Sequence, residues 1–359
     1  MLNLKKIMSA KSELNRDELY NSAFLRACRG ESVPHTPIWL MRQAGRYQAS
    51  YRELRQKVSF LELCKTPELA TKVTVEAVKQ TGVDAAIIFS DILPILEPMG
   101  ASLEYVGGSK PKIHNPVRTA AEIDNLRELE TVEPLNYVFE ALQQTRRALP
   151  KNIPLIGFCG APFTLASYLI EGGGSKNFVL TKSLMYSNVG AWNALLSKLS
   201  RALVKYLNAQ IAAGADTVQI FDSWVGCLSP DDYRQYVLPH TKFVVENIDK
   251  SVPLIHFGTG TATLLETMKD CGDVIGVDWH SNLDDAWQTI GYEKTVMGNL
   301  DPVQLFAPRE ILLEKADKIL KQAAGRKGHI FNLGHGILPE TPMDNVVALV
   351  DFVHEQTSK

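Results

Sequence analysis

Pro37-Ile38-Trp39-Leu40-Met41-Arg42-Gln43-Ala44-Gly45-Arg46-Tyr47 is the stretch from which the fold and the chemistry of this 359-residue chain can be read. The short apolar run Ile38 to Met41 has the length and composition of a buried strand. It ends in two arginines four residues apart, and Gly45 lets the backbone turn away. Two guanidiniums delivered from one strand end form an anion clamp, permanently charged and forked to match carboxylate or phosphate. The plain alternative is a pair of surface arginines bridged to nearby glutamates. Position favours the clamp, because α/β proteins bind ligands just beyond the ends of their strands.

The same punctuation recurs along the chain. Ala85-Ala86-Ile87-Ile88-Phe89 ends in Ser90-Asp91, and Pro154 to Phe158 ends in Cys159-Gly160-Ala161-Pro162. Thr217 to Phe221 ends in Asp222-Ser223, Pro253 to Phe257 in Gly258, and Val274 to Val277 in Asp278. Thr295 to Gly298 leads to Asn299 and Asp301, and His329 to Leu333 leads to Gly334-His335-Gly336. With Ile38 to Met41, these are eight runs separated mostly by helical spacing, as in Asn15 to Arg29, Thr66-Pro67 to Gln80, Trp192 to Ala213, Tyr233 to Asp249 and Arg309 to Ala324. Strands buried on both faces belong to a parallel sheet, and eight of them with crossover helices predict an α/β fold, a single (β/α)8 TIM barrel with elaborated loops. A doubly wound open sheet is the competing architecture. Met99 to Ile153 is longer than one loop and one helix require, and Val106-Gly107-Gly108-Ser109-Lys110-Pro111 predicts an inserted hairpin after the second strand. Residues 1–14 read as a loose leader with three lysines and no apolar h-region, and residues 15–359 as one catalytic domain.

Hydrophobic residues make up 45% of the chain, charged residues 22%, and the net charge is −2, which describes a globular protein with ample core and no cationic face for nucleic acid. Cys28, Cys64, Cys159, Cys227 and Cys271 are odd in number and widely spaced, so neither a disulfide framework nor a zinc knuckle is indicated, and a reducing compartment is. No apolar run approaches the ~20 residues of a membrane helix.

The polar residues expected at strand ends are Arg42, Arg46, Asp91, Asp222, Ser223, His256, Asp278, Asn299, Asp301 and His335. Taken singly, an aspartate at a strand end often caps the next helix, which is as good a reading of Asp222, Asp278 and Asp301 as a functional one. His256 reads best as a hydrogen-bonded core histidine. Together the set places two fixed cations opposite several acids and a histidine. Gly172-Gly173-Gly174 lacks the context of a phosphate loop and reads as a flexible lid segment, whereas Gly334-His335-Gly336 is either a phosphate nest or a tight turn presenting His335. No HExxH, GxSxG, CxxC or EF-hand pattern occurs.

Trp39 to Tyr47 and Phe89-Ser90-Asp91-Ile92-Leu93 resemble the two signatures of the uroporphyrinogen decarboxylase family. Gly160-Ala161-Pro162-Phe163-Thr164, Tyr168-Leu169-Ile170-Glu171-Gly172, Phe221-Asp222-Ser223-Trp224 and Asn332 to Gly336 are similar to that family too, in the same order. The resemblance implies a (β/α)8 barrel, a homodimer with facing clefts, and a reaction without metal or cofactor. That reaction removes four acetate carboxylates from uroporphyrinogen, giving coproporphyrinogen in haem and chlorophyll synthesis. It also implies the site: Arg42, Gln43, Ala44, Gly45 and Arg46 as the binding loop, Arg55 reaching the same cleft, and Tyr168, Ser223 and His335 on the rim. Asp91 receives the four pyrrole N–H groups.

Charge makes this reading coherent. A substrate with eight carboxylates needs a local cationic clamp on a near-neutral protein, and Arg42 and Arg46 supply it. Decarboxylation of a pyrrole acetate needs an electron sink, made by protonating the neighbouring ring carbon. A fixed carboxylate under the ring nitrogens stabilises that cation by ~3–4 kcal/mol. Asp91 is the expected catalytic carboxylate, with Arg42, Tyr168 and His335 as candidates for handling the proton. A zinc-dependent corrinoid or thiol methyltransferase on the same barrel would need thiolate and histidine ligands, and His256 has no cysteine beside it. A non-catalytic tetrapyrrole carrier would keep the arginines without needing Asp91. Cytoplasm and plastid stroma both suit the composition.

Overall fold

The computed structural model describes residues 17–107 and 110–359, so the leader, the expected cap at Asn15 and the tip of the insertion at Gly108-Ser109 lie outside the described residues. Seven runs form one parallel sheet: β1 (Ala86–Ile87), β4 (Leu155–Gly160), β5 (Thr217–Asp222), β6 (Leu254–Gly258), β7 (Val274–Gly276), β8 (Thr295–Met297) and β9 (His329–Ile330). They lie side by side in chain order, and every neighbouring pair is parallel. β2 (Leu103–Val106) and β3 (Lys110–Ile113) form the antiparallel hairpin expected of the insertion.

The eighth run closes the ring without becoming a strand. Ile38 bridges Phe331 beyond the end of β9, the Phe331 N–H donates to Pro37 O (2.8 Å), and the Asp84 N–H before β1 donates to Ile38 O (2.8 Å). After Ile38 the ladder stops, because side chains take its partners. Leu40 N–H donates to Gln43 Oε1 (3.2 Å) and Met41 N–H to Asn332 Oδ1 (3.1 Å). The buried backbone is therefore satisfied by two amides rather than by a neighbouring strand.

Side-chain alternation sets two cores. Gln219 Nε2 sits 3.9 Å from Met41 Sδ, and Phe221 meets Phe158 and Phe257 with ring centroids 5.5 and 6.2 Å away, so these residues fill the barrel interior. The opposite strand faces pack under helices. The helix Val189–Ala212 buries Trp192, Leu195, Leu196, Leu199, Leu203, Tyr206 and Leu207, a stripe at helical spacing.

Helix boundaries follow local chemistry. Pro67 occupies the first turn of Pro67–Thr81, and Gly82 ends it in the left-handed region at φ 72°. The helix expected over Tyr233 to Asp249 is two, Pro230–Tyr236 and Leu238–Asn247. Pro239 explains the break, since it has no N–H to continue the first helix. Asn15 to Arg29 is likewise interrupted: residues 17–20 are helical, and Ser22 then caps Ala23–Cys28 through Leu25 N–H. Among the described residues no helix is long and apolar enough to cross a membrane.

Candidate active site

The barrel mouth begins with Arg42, whose backbone adopts φ 61°, a left-handed conformation that a side chain makes costly. Ile337 N–H donates to Met41 O (2.9 Å), tying this turn to the loop after β9. An added Cβ at Gly336 would strike Arg42 Cγ and Cδ, and one at Gly334 would strike the Trp279 backbone. Gly334-His335-Gly336 is thus a close-packing turn that carries His335, with the Gly334 N–H already donating to Leu300 O (2.7 Å).

Arg42 and Arg46 are exposed, and neither side chain makes an ion pair or hydrogen bond with a described residue. The surface-bridge alternative therefore fails. Tyr168, on the helix Pro162–Glu171, and Ser223, directly after β5, also keep side-chain hydroxyls without a described hydrogen-bond partner. The Tyr168 ring lies on Trp224, with centroids 3.8 Å apart and planes 30° apart.

Asp91 is half-buried beyond β1, and its Oδ1 accepts from Leu93 N–H (2.9 Å). Burial raises its pKa above the ordinary carboxylate value, against the lowering effects of the Tyr105 hydroxyl, the Leu93 and Ile92 amides and Arg42. Tyr105 comes from β2, and its buried oxygen is aimed at this carboxylate without reaching a hydrogen bond of ordinary geometry. Burial likewise raises Tyr168, reinforced by Asp91 and opposed by Arg42. His335 is pushed below its usual value by burial and by Arg42, despite the Gly336 backbone and Asp278. Arg42 is thus the charged neighbour common to Asp91, Tyr168 and His335.

The other expected members are engaged within the fold. Gln43 is 1% exposed; besides Leu40 N–H, its amide engages Ala85 O (3.1 Å), so its side chain supports the loop instead of facing a ligand. The Gln43 N–H donates to Leu40 O (2.9 Å) and the Gly45 N–H to Gln48 Oε1 (3.1 Å), while the Ala44 N–H has no described partner. Arg55 donates to Val58 O and lies over the Phe60 ring, 5.9 Å from its centroid, at the end of the helix Ala49–Arg55. Asp301 caps the following turn through Val303 N–H (2.9 Å), and Asp278 holds Gly260 and His280. Asn299 donates to Asp278 O (2.9 Å) and Ser281 O (2.7 Å). Asp222 and His256 point into the helix layer, both fully buried. His256 is a core histidine as expected, but neither ring nitrogen has a hydrogen-bond partner among the described residues, and Asp222 Oδ2 is 3.8 Å from Nε2.

The triple glycine is not a free lid. Gly172 terminates its helix at φ 80°, Ile113 N–H donates to Gly172 O (2.8 Å), and Gly173 bridges Lys112. Its first two members thus join the hairpin that carries Tyr105. Sequence reasoning missed Tyr105 because it lies on an insertion, outside the strand-end pattern. It left Trp224 without a role, although the residue follows Ser223.

The uroporphyrinogen decarboxylase (URO-D) family model matches residues 19–356. A uroporphyrinogen decarboxylase of Carboxydothermus hydrogenoformans is 55% identical over 340 residues, covering 94% of this chain and 97% of the relative. One of Sorangium cellulosum is 56% identical over 333 residues, covering 92% and 95%. Among solved structures, a methyltransferase from Methanosarcina mazei superposes with a TM-score of 0.74 at 23% identity, covering 93% of this chain and 98% of that one. A B12-independent methionine synthase from Shewanella sp. W3-18-1 gives 0.56 at 12%, covering 84% and 91%. These two likenesses concern the fold alone.

Proposed function

The chain belongs to the uroporphyrinogen decarboxylase family, and from that premise we propose which of its residues carry the reaction. The enzyme is a carboxy-lyase that converts uroporphyrinogen to coproporphyrinogen by removing four acetate carboxylates. The observation that carries the residue assignment is the position of Arg42, which makes no ion pair or hydrogen bond with a described residue through its side chain and acts electrostatically on Asp91, Tyr168 and His335 at once.

Arg42 and Arg46 bind substrate carboxylates, and the Ala44 N–H adds a backbone donor. Asp91, ionised, accepts from the pyrrole N–H groups. A proton is added to the ring carbon beside the acetate-bearing one, and the ring becomes cationic over Asp91. The bond to the carboxylate then breaks, its electron pair neutralises the ring, and carbon dioxide leaves. Protonation of the resulting methylene and loss of the ring proton give the methyl group, so each cycle exchanges carbon dioxide for one proton. Asp91 favours the cationic intermediate because its charge is already in place and needs no reorganisation. Tyr168, held neutral by burial, and His335, kept uncharged near neutral pH by burial and Arg42, act as hydrogen-bonding groups on the rim beside Ser223.

For the methyltransferase alternative, the mouth holds no cluster of three ligand groups among the described residues. Among the described residues, His35, Asp84 and His354 are the one cluster with ligand atoms close together, and they lie at the opposite, N-terminal end of the strands. A non-catalytic carrier would not require Asp91 to stay ionised against burial. We place two copies in a homodimer; Val179, Leu180, Tyr186 and Val189, exposed on two consecutive helices, offer apolar side chains for that contact. The cytoplasm is the proposed compartment, in keeping with five free cysteines.

The test is an anaerobic assay of chelator-treated protein with uroporphyrinogen, with products sorted by carboxylate number. Seven- to four-carboxylate products from the native protein, lost in Asp91→Asn and Arg42→Ala, support the assignment. Full activity in those variants overturns it. Light scattering that gives a monomer mass would remove the homodimer.

A further inference from the structure

Thr164 and Asp222 are fully buried and belong to no rim group, yet both are bonded into the wall that carries Tyr168 and Ser223. Thr164 Oγ1 donates to Asp222 Oδ1 (2.9 Å), and the same oxygen accepts from the Trp224 N–H (3.4 Å). Thr164 and Tyr168 are four residues apart in the helix Pro162–Glu171 and so share one face. That face grips Trp224 twice, through its backbone at Thr164 and through its ring at Tyr168. Phe178 approaches the same indole, with centroids 5.1 Å apart. Ser223 sits between Asp222 and Trp224, the two residues that Thr164 holds.

We propose that Thr164, anchored by Asp222, is a positioning residue for substrate binding. Its hydroxyl fixes the turn after β5 and thereby sets both the Ser223 hydroxyl and the Trp224 surface on which Tyr168 rests. The bond to Asp222 orients the Thr164 hydroxyl so that its lone pair faces the Trp224 N–H. The bond from Trp224 then pins the indole at the right height under the Tyr168 ring. A hydroxyl is needed, because only a group that donates and accepts can serve both partners. Asp222 Oδ2 faces His256 across 3.8 Å, beyond a hydrogen bond, so Thr164 is the one direct side-chain partner of that carboxyl group among the described residues.

This inference rests on the reading that Tyr168 and Ser223 bind substrate. Thr164→Val keeps the shape and removes the hydroxyl, and Thr164→Ser restores it. The expected result for the valine variant is a KM for uroporphyrinogen raised about tenfold with kcat changed far less. The serine variant should return KM to near the native value. A second readout needs no substrate: the emission attributable to Trp224, taken as the difference between each protein and its Trp224→Phe derivative, should shift in Thr164→Val and not in Thr164→Ser. Should the valine variant fail to fold, Thr164→Ala removes the same hydroxyl without a β-branch and is read in the same two ways. Unchanged Trp224 emission on loss of the hydroxyl overturns the proposal, as does a serine variant that behaves like valine. Tyr168→Phe and Ser223→Ala run in parallel separate the two failures. If they leave KM unchanged while the emission shifts, the rim assignment is wrong and the role in substrate binding falls with it, though the hold of Thr164 on Trp224 is real. If they raise KM and Thr164→Val does not, the positioning role is wrong.

Discussion

The side chain of Arg42 lies across Gly336, so closely that a methyl group at that Cα would overlap Cγ, Cδ and Nε. The clamp from the start of the barrel is thereby seated on the turn that follows its last strand. Gly336→Ala should displace Arg42 while the fold survives, because the guanidinium end is exposed and free to move. Displacement of a positioning group by about 1 Å costs up to ~100-fold in rate. Steady-state kinetics should show kcat/KM lower by about tenfold to a hundredfold with an unfolding midpoint near native. Native kinetics in the Gly336→Ala variant would mean that the seat does not matter.

Asp91 trades stability for function. Its folded pKa is raised, mainly by burial, so its contribution to stability is complete below the unfolded value near 4 and declines as pH rises through the folded value. At neutral pH the ionised group is therefore a cost to the fold, and Asp91→Asn should unfold at the same or a higher temperature. The same variant should lose ~3–4 kcal/mol of transition-state stabilisation, or roughly a hundredfold to a thousandfold in kcat. Thermal unfolding and turnover measured on one preparation decide it; a variant that is both less stable and fully active contradicts both halves.

Tyr105 acts on that carboxylate from the hairpin. Its hydroxyl is among the groups that lower the Asp91 pKa, so Tyr105→Phe should raise it further. Activity requires ionised Asp91 and falls on the acid side. The acid limb of the kcat/KM profile should thus move to higher pH in the phenylalanine variant, while the rate at the optimum changes little. An acid limb that stays put, or moves to lower pH, would show that the hydroxyl does not address Asp91.

At the other end of the barrel, Asp84 ties three chain segments together. Its oxygens meet His35 Nε2 (2.9 Å) and His354 Nε2 (2.8 Å), and Oδ2 accepts from Ile38 N–H (2.8 Å). Burial opposes ionisation of Asp84, but hydrogen bonds from His35 and His354 outweigh it and hold the carboxyl below its ordinary value. The bond to Asp84 raises His354, against burial. The Asp84 contribution is present above about pH 4 and lost as pH falls through its lower folded value. That of His354 is present below about pH 6.5 and lost as pH rises through its raised folded value. Urea midpoints of native protein and His354→Phe should therefore differ most between about pH 4 and 6.5 and converge at higher pH. A gap that widens toward pH 8 would contradict this.

Periodic apolar runs, and the polar residues at their ends, determined the barrel, the hairpin insertion and the placing of Arg42, Arg46, Asp91, Ser223 and His335 near strand ends, while Tyr168 came from the family resemblance. These features are local: side-chain period, a turn residue and a charge follow from neighbours in the chain. Tertiary structure alone decided which of the strand-end residues are free. Asp222, Asp278 and Asp301 were indistinguishable from Asp91 by position, and Asp91, Asp278 and Asp301 even share a hydrogen bond from the amide two residues further on. What separates Asp222 is its burial against Thr164, and what separates Asp91 is that Tyr105 and Arg42 address it. Gln43 was expected in the binding loop through its backbone, and only the fold showed that its side-chain amide serves Leu40 and Ala85; Ile38 to Met41 looked like a full strand until Gln43 and Asn332 replaced its ladder. Tyr105 carries no strand-end signal, and only the hairpin's return over the mouth aims it at Asp91. The physical reason is that a side chain's partners are set by the folded chain as well as by its neighbours: Asp222 meets Thr164, Gln43 meets Ala85 and Met41 meets Asn332 across tens to hundreds of residues, whereas the caps at Asp91, Asp278 and Asp301 are local.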